Sequence, residues 1–239
     1  MKKSNRGKIL YNEQISIDTY KMVIKSEIKE IKSGHFISVL IPNKTLRRPF
    51  SVAGFNNGEI TVMYKLKGDG TNYLKNLKKD DEVDFLAPLG NLFKYEKVNS
   101  ALLIGAGIGI APMLFLKDEL DKKGIKNYLI SGFKNEEEKI EGSNETIIGG
   151  SVLDNIDEII KKTNPDMIYS CGPHIVLKLV SEIGKKHNIK TQVAMEKVMA
   201  CGIGVCRGCV IKLNKNGEIV NKTVCKDGPV FMGDEVIWE

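Results

Sequence analysis

Cysteine is scarce in this chain: 239 residues contain five. The number is odd, and four of the five fall between Cys201 and Cys225. That distribution argues against the disulfide framework of a secreted protein and for a reducing, cytoplasmic setting. Long apolar runs are missing too, and none approaches the ~20 residues of a membrane-spanning helix. The first ten residues, MKKSNRGKIL, are basic but lack the apolar stretch of a signal peptide. Histidine is scarcer still. His35, His174 and His187 stand apart from one another, and no constellation of general acid, base and nucleophile emerges around them. Repeats and low-complexity tracts are absent. The net charge of +6 comes from lysines scattered along the chain rather than massed with interleaved aromatics. This suits an anionic ligand or an acidic partner and speaks against nucleic acid and membrane surfaces as partners.

What is present falls into three parts. Up to residue 98 the chain reads as short strands: QISIDTYKMVIKS, HFISVLIP, PFSVAGF, EITVMYKL and DEVDFLAP, separated by turns such as Asn56-Asn57-Gly58 and Gly68-Asp69-Gly70. Many short, evenly spaced strands predict an antiparallel β-barrel or sandwich. From 99 to 196 the pattern changes. ALLIGAG is a continuous apolar run, as in a strand buried on both faces. Helical spacing follows in APMLFLKDELDKKG, with Pro112 near the first turn. Strand-like NYLISGF, ETIIGG, DMIYSCG and TQVAME then alternate with helix-like SVLDNIDEIIKKTN and HIVLKLVSEIGKKHN, the signature of a wound α/β domain around a parallel sheet. The acidic NEEEKIEGSN is a loop or a short helix. Residues 197–239 form a small cysteine module.

Cys201, Cys206 and Cys209 are spaced C-x4-C-x2-C, with Cys225 remote. Two short alternating runs between Cys209 and Cys225 meet at Asn216-Gly217, a strong hairpin signal that returns Cys225 to Cys209. This is the plant-type spacing for a [2Fe–2S] cluster. Gly202, Gly204 and Gly208 would let the loop approach the inorganic core and offer it N–H groups. Structural zinc is the rival, although zinc sites usually take cysteines as two short-spaced pairs; inert buried thiols are the blandest option.

Gly105, Gly107 and Gly109 open GAGIGIAP, which joins a buried strand to the helix beginning near Pro112. Such a turn can receive a pyrophosphate, though the G-x-G-x-G spacing is weak on its own. Cys171, Gly172 and Pro173 repeat the strand–Gly–Pro–helix device later in the same sheet. In the barrel, LRRPFS sets an Arg beside Pro and Ser, a combination able to hold a phosphate while the rigid chain lies against a flat ring. Gly68–Thr71, GDGT, offers a second tight turn.

A barrel with R-P-x-S and a later G-T, followed by a wound domain with a glycine-rich loop and C-G-P, resembles the ferredoxin–NADP reductase superfamily. The tail, EKVMACGIGVCRGC with CKDGPVF, resembles the electron-transfer subunits of class 1B dihydroorotate dehydrogenases, and the likeness spans essentially the whole chain. It implies FAD at Arg48, Pro49, Phe50, Ser51, Met63, Tyr64, Lys65, Gly70 and Thr71. It implies NAD at Gly105, Gly107, Gly109, Pro112, Cys171, Gly172 and Pro173, and a [2Fe–2S] cluster on Cys201, Cys206, Cys209 and Cys225. Phe50 stands where many superfamily members carry Tyr, so a phenolic hydrogen bond to the flavin is absent. Residues 136–150 match poorly, which leaves adenine-side contacts unassigned. The resemblance further implies a separate FMN-containing dihydroorotate dehydrogenase catalytic subunit, in a heterotetramer of two of each, feeding electrons through cluster and FAD to NAD in pyrimidine biosynthesis. Flavin is the carrier such a chain needs, because nicotinamide exchanges two electrons and a cluster one. Two other readings stay open: a subunit of a sulfide dehydrogenase or bifurcating transhydrogenase, and an iron–sulfur redox sensor with an inactive reductase domain. Glu136, Glu137 and Glu138 predict a preference for NAD(H) over NADP(H), since they would repel a 2′-phosphate.

Overall fold

The computed structural model describes residues 4–238; Met1–Lys3 and Glu239, included in the expected domain limits, lie outside them. Six strands close a barrel: β1 (Asn5–Ser16), β2 (Thr19–Lys25), β3 (Phe36–Val39), β4 (Arg48–Asn56), β5 (Glu59–Lys65) and β6 (Glu82–Leu89). Their order around the barrel is β1-β2-β5-β4-β3-β6. β5 shows how the sequence dictates this. Ile60, Val62 and Tyr64 point into the core, while Glu59, Thr61, Met63 and Lys65 alternate outward. Asn57 and Gly58, both with positive φ, turn β4 into β5 with the twist a tight hairpin needs.

One expected turn is helix instead. Gly68–Thr71 leads into α1 (Asp69–Lys75). The Thr71 hydroxyl accepts from the Lys67 and Gly68 N–H groups at 2.9 and 3.3 Å, satisfying amides that precede the helix.

The second domain is a six-stranded sheet built from β7 (Ser100–Ala106), β8 (Lys126–Phe133), β9 (Glu145–Ile148), β10 (Met167–Cys171) and β11 (Lys190–Ala194), with one further edge strand. Helices α2 (Ile110–Lys122), α3 (Ile156–Thr163) and α4 (His174–Lys186) cover it. β7 is buried from Ala101 to Ala106, as a central parallel strand requires. The helix expected over 151–164 is shorter, bracketed by left-handed Asn155 and Asn164. The acidic segment makes one 3₁₀ turn at Glu136–Glu138.

The C-terminal part holds the hairpin β12 (Val210–Lys215) and β13 (Glu218–Thr223), turning at Asn216-Gly217 as expected. It is not a free-standing appendage. β14 (Val230–Met232) returns to the sheet and pairs antiparallel with β11, giving the order β14-β11-β10-β7-β8-β9. The sheet is therefore mixed at one edge. Phe36 and Leu89 of the barrel share a hydrophobic cluster with Cys209, Val224 and Cys225. Phe115 of α2 packs into the barrel core, and Ser33 of the barrel donates from its N–H and hydroxyl to the Glu119 carboxylate of α2. All three parts thus share packed interfaces. No helix among the described residues is long and apolar enough to cross a membrane.

Candidate functional site

A cavity of about 510 Å³ opens where the barrel, the C-terminal strand ends of the sheet and the cysteine module meet. All nine residues assigned to FAD line it: Arg48, Pro49, Phe50, Ser51, Met63, Tyr64, Lys65, Gly70 and Thr71. Pro112, in the first turn of α2, and Cys171, at the end of β10, reach it from the second domain. Met199 and Pro229 belong to the module and line it too, two and four positions from Cys201 and Cys225.

The lining residues differ in what they offer. Lys44, Arg48 and Lys67 bring positive charge to the lining, and Asp69, also in the wall, pairs with the Lys44 ammonium at 2.7 Å. The Arg48 guanidinium donates to the Leu46 carbonyl at 2.7 Å, and a Cβ at position 70 would come within 3.2 Å of its Nε. Gly70 therefore lets the arginine lie flat against the start of α1. Phe50 packs on Tyr64 with ring centroids 5.8 Å apart. Tyr64 is 1% exposed, and its hydroxyl donates to Asn12 Oδ1 at 2.8 Å; burial drives that phenol's pKa well above normal. Its ring serves the barrel core more than the cavity. The Lys65 ammonium is paired with Asp18 at 2.9 Å and Glu138 at 3.0 Å. Burial pulls its pKa down, but the two carboxylates outweigh that and hold it above the ordinary value.

The expected NAD residues divide into two groups. Gly105, Gly107, Gly109, Gly172 and Pro173 do not line this cavity. Gly105 and Gly109 have packing reasons: a Cβ on the first would strike the Ile110 backbone, and one on the second the Cys171 carbonyl. Gly172 packs against Ala106 in the same way. Only Gly107 combines a left-handed φ of 55° with open space before it, the property a ligand-facing turn needs. Burial pushes the Cys171 thiol far above its normal pKa, and nearby Glu196 adds to the shift, so the group stays a neutral SH.

Glu196 was missed by sequence reasoning. It stands in the cavity wall beyond the end of β11. Solvent reaches it through the open mouth, yet surrounding protein desolvates its carboxyl and raises the pKa, with Lys67 opposing. Its signal was positional: an acid just past a strand end that neighbours the C-G-P strand.

The cysteines come together as two pairs. All five in the chain are free. Cys201 neighbours Cys206, whose N–H donates to Cys201 Sγ at 3.3 Å. Cys225 neighbours Cys209, with its N–H donating to Cys209 Sγ at 3.4 Å. Gly204 N–H donates to Cys225 Sγ at 3.1 Å. Burial would raise the Cys201 pKa, but the N–H groups of Cys206, Ile203 and Val205 overcome it and bring the thiol down to about 6. Cys225 is pushed up to about 12, by burial first and the Cys209 thiol second. Among the described residues, no three His, Cys, Asp or Glu side chains close on a single ion position. A tetrahedral zinc site asks for convergence on one point, whereas a binuclear cluster takes two thiolates at each iron. Two adjacent pairs with amides aimed at sulfur fit the binuclear cluster.

Residues 196–237 match the family described as the iron-sulfur cluster binding domain of dihydroorotate dehydrogenase B. An NADH-dependent reduced ferredoxin-NADP oxidoreductase, studied for flavin-based electron bifurcation, superposes with a TM-score of 0.84 at 26% identity, covering 97% of this chain and 90% of that one. Phthalate dioxygenase reductase shares the fold with a TM-score of 0.67 at 17% identity, over 92% of this chain and 77% of that one. Fold and site together define a ferredoxin reductase-like electron-transfer protein with an iron–sulfur module. Curated relatives narrow the class. The "Dihydroorotate dehydrogenase B (NAD(+)), electron transfer subunit" of Caldanaerobacter subterraneus subsp. tengcongensis is 35% identical, with 98% of each chain aligned. Its counterpart in Fusobacterium nucleatum is 36% identical over 94% of this chain and 95% of that one. The chain belongs to this family of electron transfer subunits.

Proposed function

We propose that this chain carries electrons between an FMN-containing dihydroorotate dehydrogenase subunit and NAD, in the cytoplasm, in a heterotetramer of two chains of each kind. Its cofactors are FAD, a [2Fe–2S] cluster and NAD. One observation carries the reading: a single cavity is lined by the R-P-x-S and G-T residues, by Pro112 of α2 and Cys171 of β10, and by Met199 and Pro229 beside the cysteines proposed to hold the cluster. FAD bound there supplies the exchange between a nicotinamide hydride and single electrons.

The chain's own residues do the rest. Arg48 and Lys67 hold the phosphates of the dinucleotide, with Lys44, itself paired to Asp69, as the third cation of the wall. Phe50 and Pro49 give the ring system a flat, rigid wall. Ile108, Met195 and Met199 keep water from the middle of the cavity. Cys171, neutral because it is buried, meets a nicotinamide without placing a negative thiolate beside it. Gly107 gives the pyrophosphate of NAD an open backbone turn.

Arg48→Ala tests the flavin end. The variant is expected to lose FAD on gel filtration, with affinity falling by about tenfold or more for one charge-assisted contact removed. FAD retention equal to the parent would overturn the assignment. A redox sensor without reductase activity would bind the flavin but leave it oxidised when NADH is added.

Glu136 and Glu137 are exposed just beyond β8, whereas Glu138 is committed to Lys65. Glu136, which also acts on the Lys139 ammonium, and Glu137 leave this turn negative toward a 2′-phosphate. We expect kcat/KM with NADH to exceed that with NADPH by about tenfold or more. Glu136→Lys combined with Glu137→Lys should narrow the gap; a higher value with NADPH for the parent chain would refute the assignment.

A further inference from the structure

Asn91 lies just past β6, where the barrel chain leaves for the sheet, and it is bound on every side to the segment that follows Cys225. Its Nδ2 donates to the Asp227 carbonyl at 3.0 Å and to the Val230 carbonyl at 2.8 Å. Its Oδ1 accepts from the Val230 N–H at 2.9 Å. Its own N–H donates to the Gly228 carbonyl at 2.7 Å. Both amide hydrogens and the amide oxygen are therefore used, and they flank Pro229. A primary amide is the side-chain group that offers two donors and an acceptor in this arrangement; a carboxylate has no donor.

The held segment joins two functional places. Pro229 lines the cavity, and its carbonyl accepts from the N–H of Met195, just past the end of the neighbouring strand β11, at 2.8 Å. Going back along the chain, Asp227 accepts from the Thr223 N–H and hydroxyl at 2.7 and 2.8 Å, which closes a tight loop around Cys225. Gly90 completes the seat. With φ at 81°, it has no room for a Cβ, which would come within 2.6 Å of Pro229 Cδ. Motion of the Asp227–Val230 segment would therefore move a cluster cysteine and a cavity wall together.

We propose that Asn91 is a positioning residue for the electron-transfer step between cavity and cysteine module: it fixes the distance between the two by clamping the Asp227–Val230 segment to the end of the barrel. The proposal rests on the reading of this chain as a carrier of FAD and a [2Fe–2S] cluster. Run from NADH, the reverse of the direction the family likeness implies, bound FAD would take up the two electrons of a hydride with release of NAD⁺, and the cluster would accept them from it one at a time, so the two reductions can be followed separately. Asn91 touches neither NADH nor the residues proposed to bind it, so the first event should not depend on it.

The experiment uses the full chain purified anaerobically with both cofactors, as parent, Asn91→Ala and Asn91→Ser. Stopped-flow spectroscopy with NADH separates flavin bleaching from cluster bleaching, and hydrogen exchange is followed over residues 223–232. In Asn91→Ala, flavin reduction is expected to keep its parental rate while cluster reduction slows by roughly tenfold, the scale at which small misplacements act. Exchange in 223–232 should rise, with iron and FAD contents unchanged. Asn91→Ser, which retains a short donor and acceptor, should lie between the two. Parental cluster reduction in both variants would overturn the proposal. So would flavin and cluster steps slowing in parallel with loss of cofactor, which would make Asn91 a purely structural residue. A parent chain that held neither FAD nor iron would instead remove the functional reading beneath it.

Discussion

Cys225→Ser is expected to empty the cysteine module. Purified without air, the parent chain should be red-brown and carry about two iron and two sulfide per chain. The serine variant should lose nearly all of both. Cys225 is 2% exposed and shares its hydrophobic cluster with Cys209. A serine hydroxyl is harder, less acidic and a poorer iron ligand than a thiol. The Gly204 N–H that donates to Cys225 Sγ would also lose its sulfur acceptor. The loop cannot recruit a substitute, because Cys171 is buried elsewhere, in the cavity wall. Cys171→Ser should accordingly keep its iron and its colour. Metal analysis and visible absorption decide the matter: one zinc per chain with no visible bands would end the cluster assignment, and loss of iron from Cys171→Ser would show that the ligand set is wrong.

The cysteine site was legible in the sequence because its determinants are local. The spacing of Cys201, Cys206 and Cys209, and the left-handed turn at Asn216-Gly217, are set within a few residues. The barrel was legible through alternation, as in Ile60, Val62 and Tyr64, and the sheet through runs such as β7 that are buried on both faces. What escaped is non-local. β14 is three residues long, too short for any periodicity to register, and only pairing with β11 makes it a strand. GDGT has the composition of a turn, and the Thr71 hydroxyl that starts a helix there acts through the preceding backbone. Gly105 and Gly109 looked like ligand-facing glycines because close packing and ligand approach demand the same missing Cβ. Glu196 opens the tail motif, but its place in the cavity wall arises only when β11 is laid beside β10. The residues assigned to the flavin drew on family likeness, with LRRPFS and GDGT alone suggesting a phosphate and a flat ring from their own chemistry. Their convergence with Met199 and Pro229 in one cavity is a product of the tertiary fold.

The second large effect concerns the partner. We propose the loop 201–209 as the face that docks the partner subunit. Val205 is 76% exposed, with Cys206, Arg207 and Gly208 also at the surface, and nearby Val198 is 88% exposed. Ile203 is instead half-buried against the core that holds Cys209 and Cys225, so it anchors the loop while Val205 and Arg207 face outward. Exposed valines and an arginine over a redox centre have the composition of a contact surface. The isolated chain is expected to oxidise NADH with artificial acceptors and to show no dihydroorotate oxidation. Adding the FMN-containing subunit should connect dihydroorotate to NAD⁺. Arg207→Glu reverses one charge on the exposed rim. It should lower the coupled rate by about tenfold at low salt, chiefly through slower association, and leave NADH oxidation by the lone chain unchanged. The deficit should shrink as salt screens the contact. Arg207 has a left-handed φ of 57°, which the substitution retains at a cost, so iron content must first be shown equal to the parent. Turnover of dihydroorotate by the lone chain, or failure of the two proteins to co-elute at micromolar concentration, would require the subunit reading to be abandoned. A coupled rate untouched by Arg207→Glu would move the docking face away from this loop.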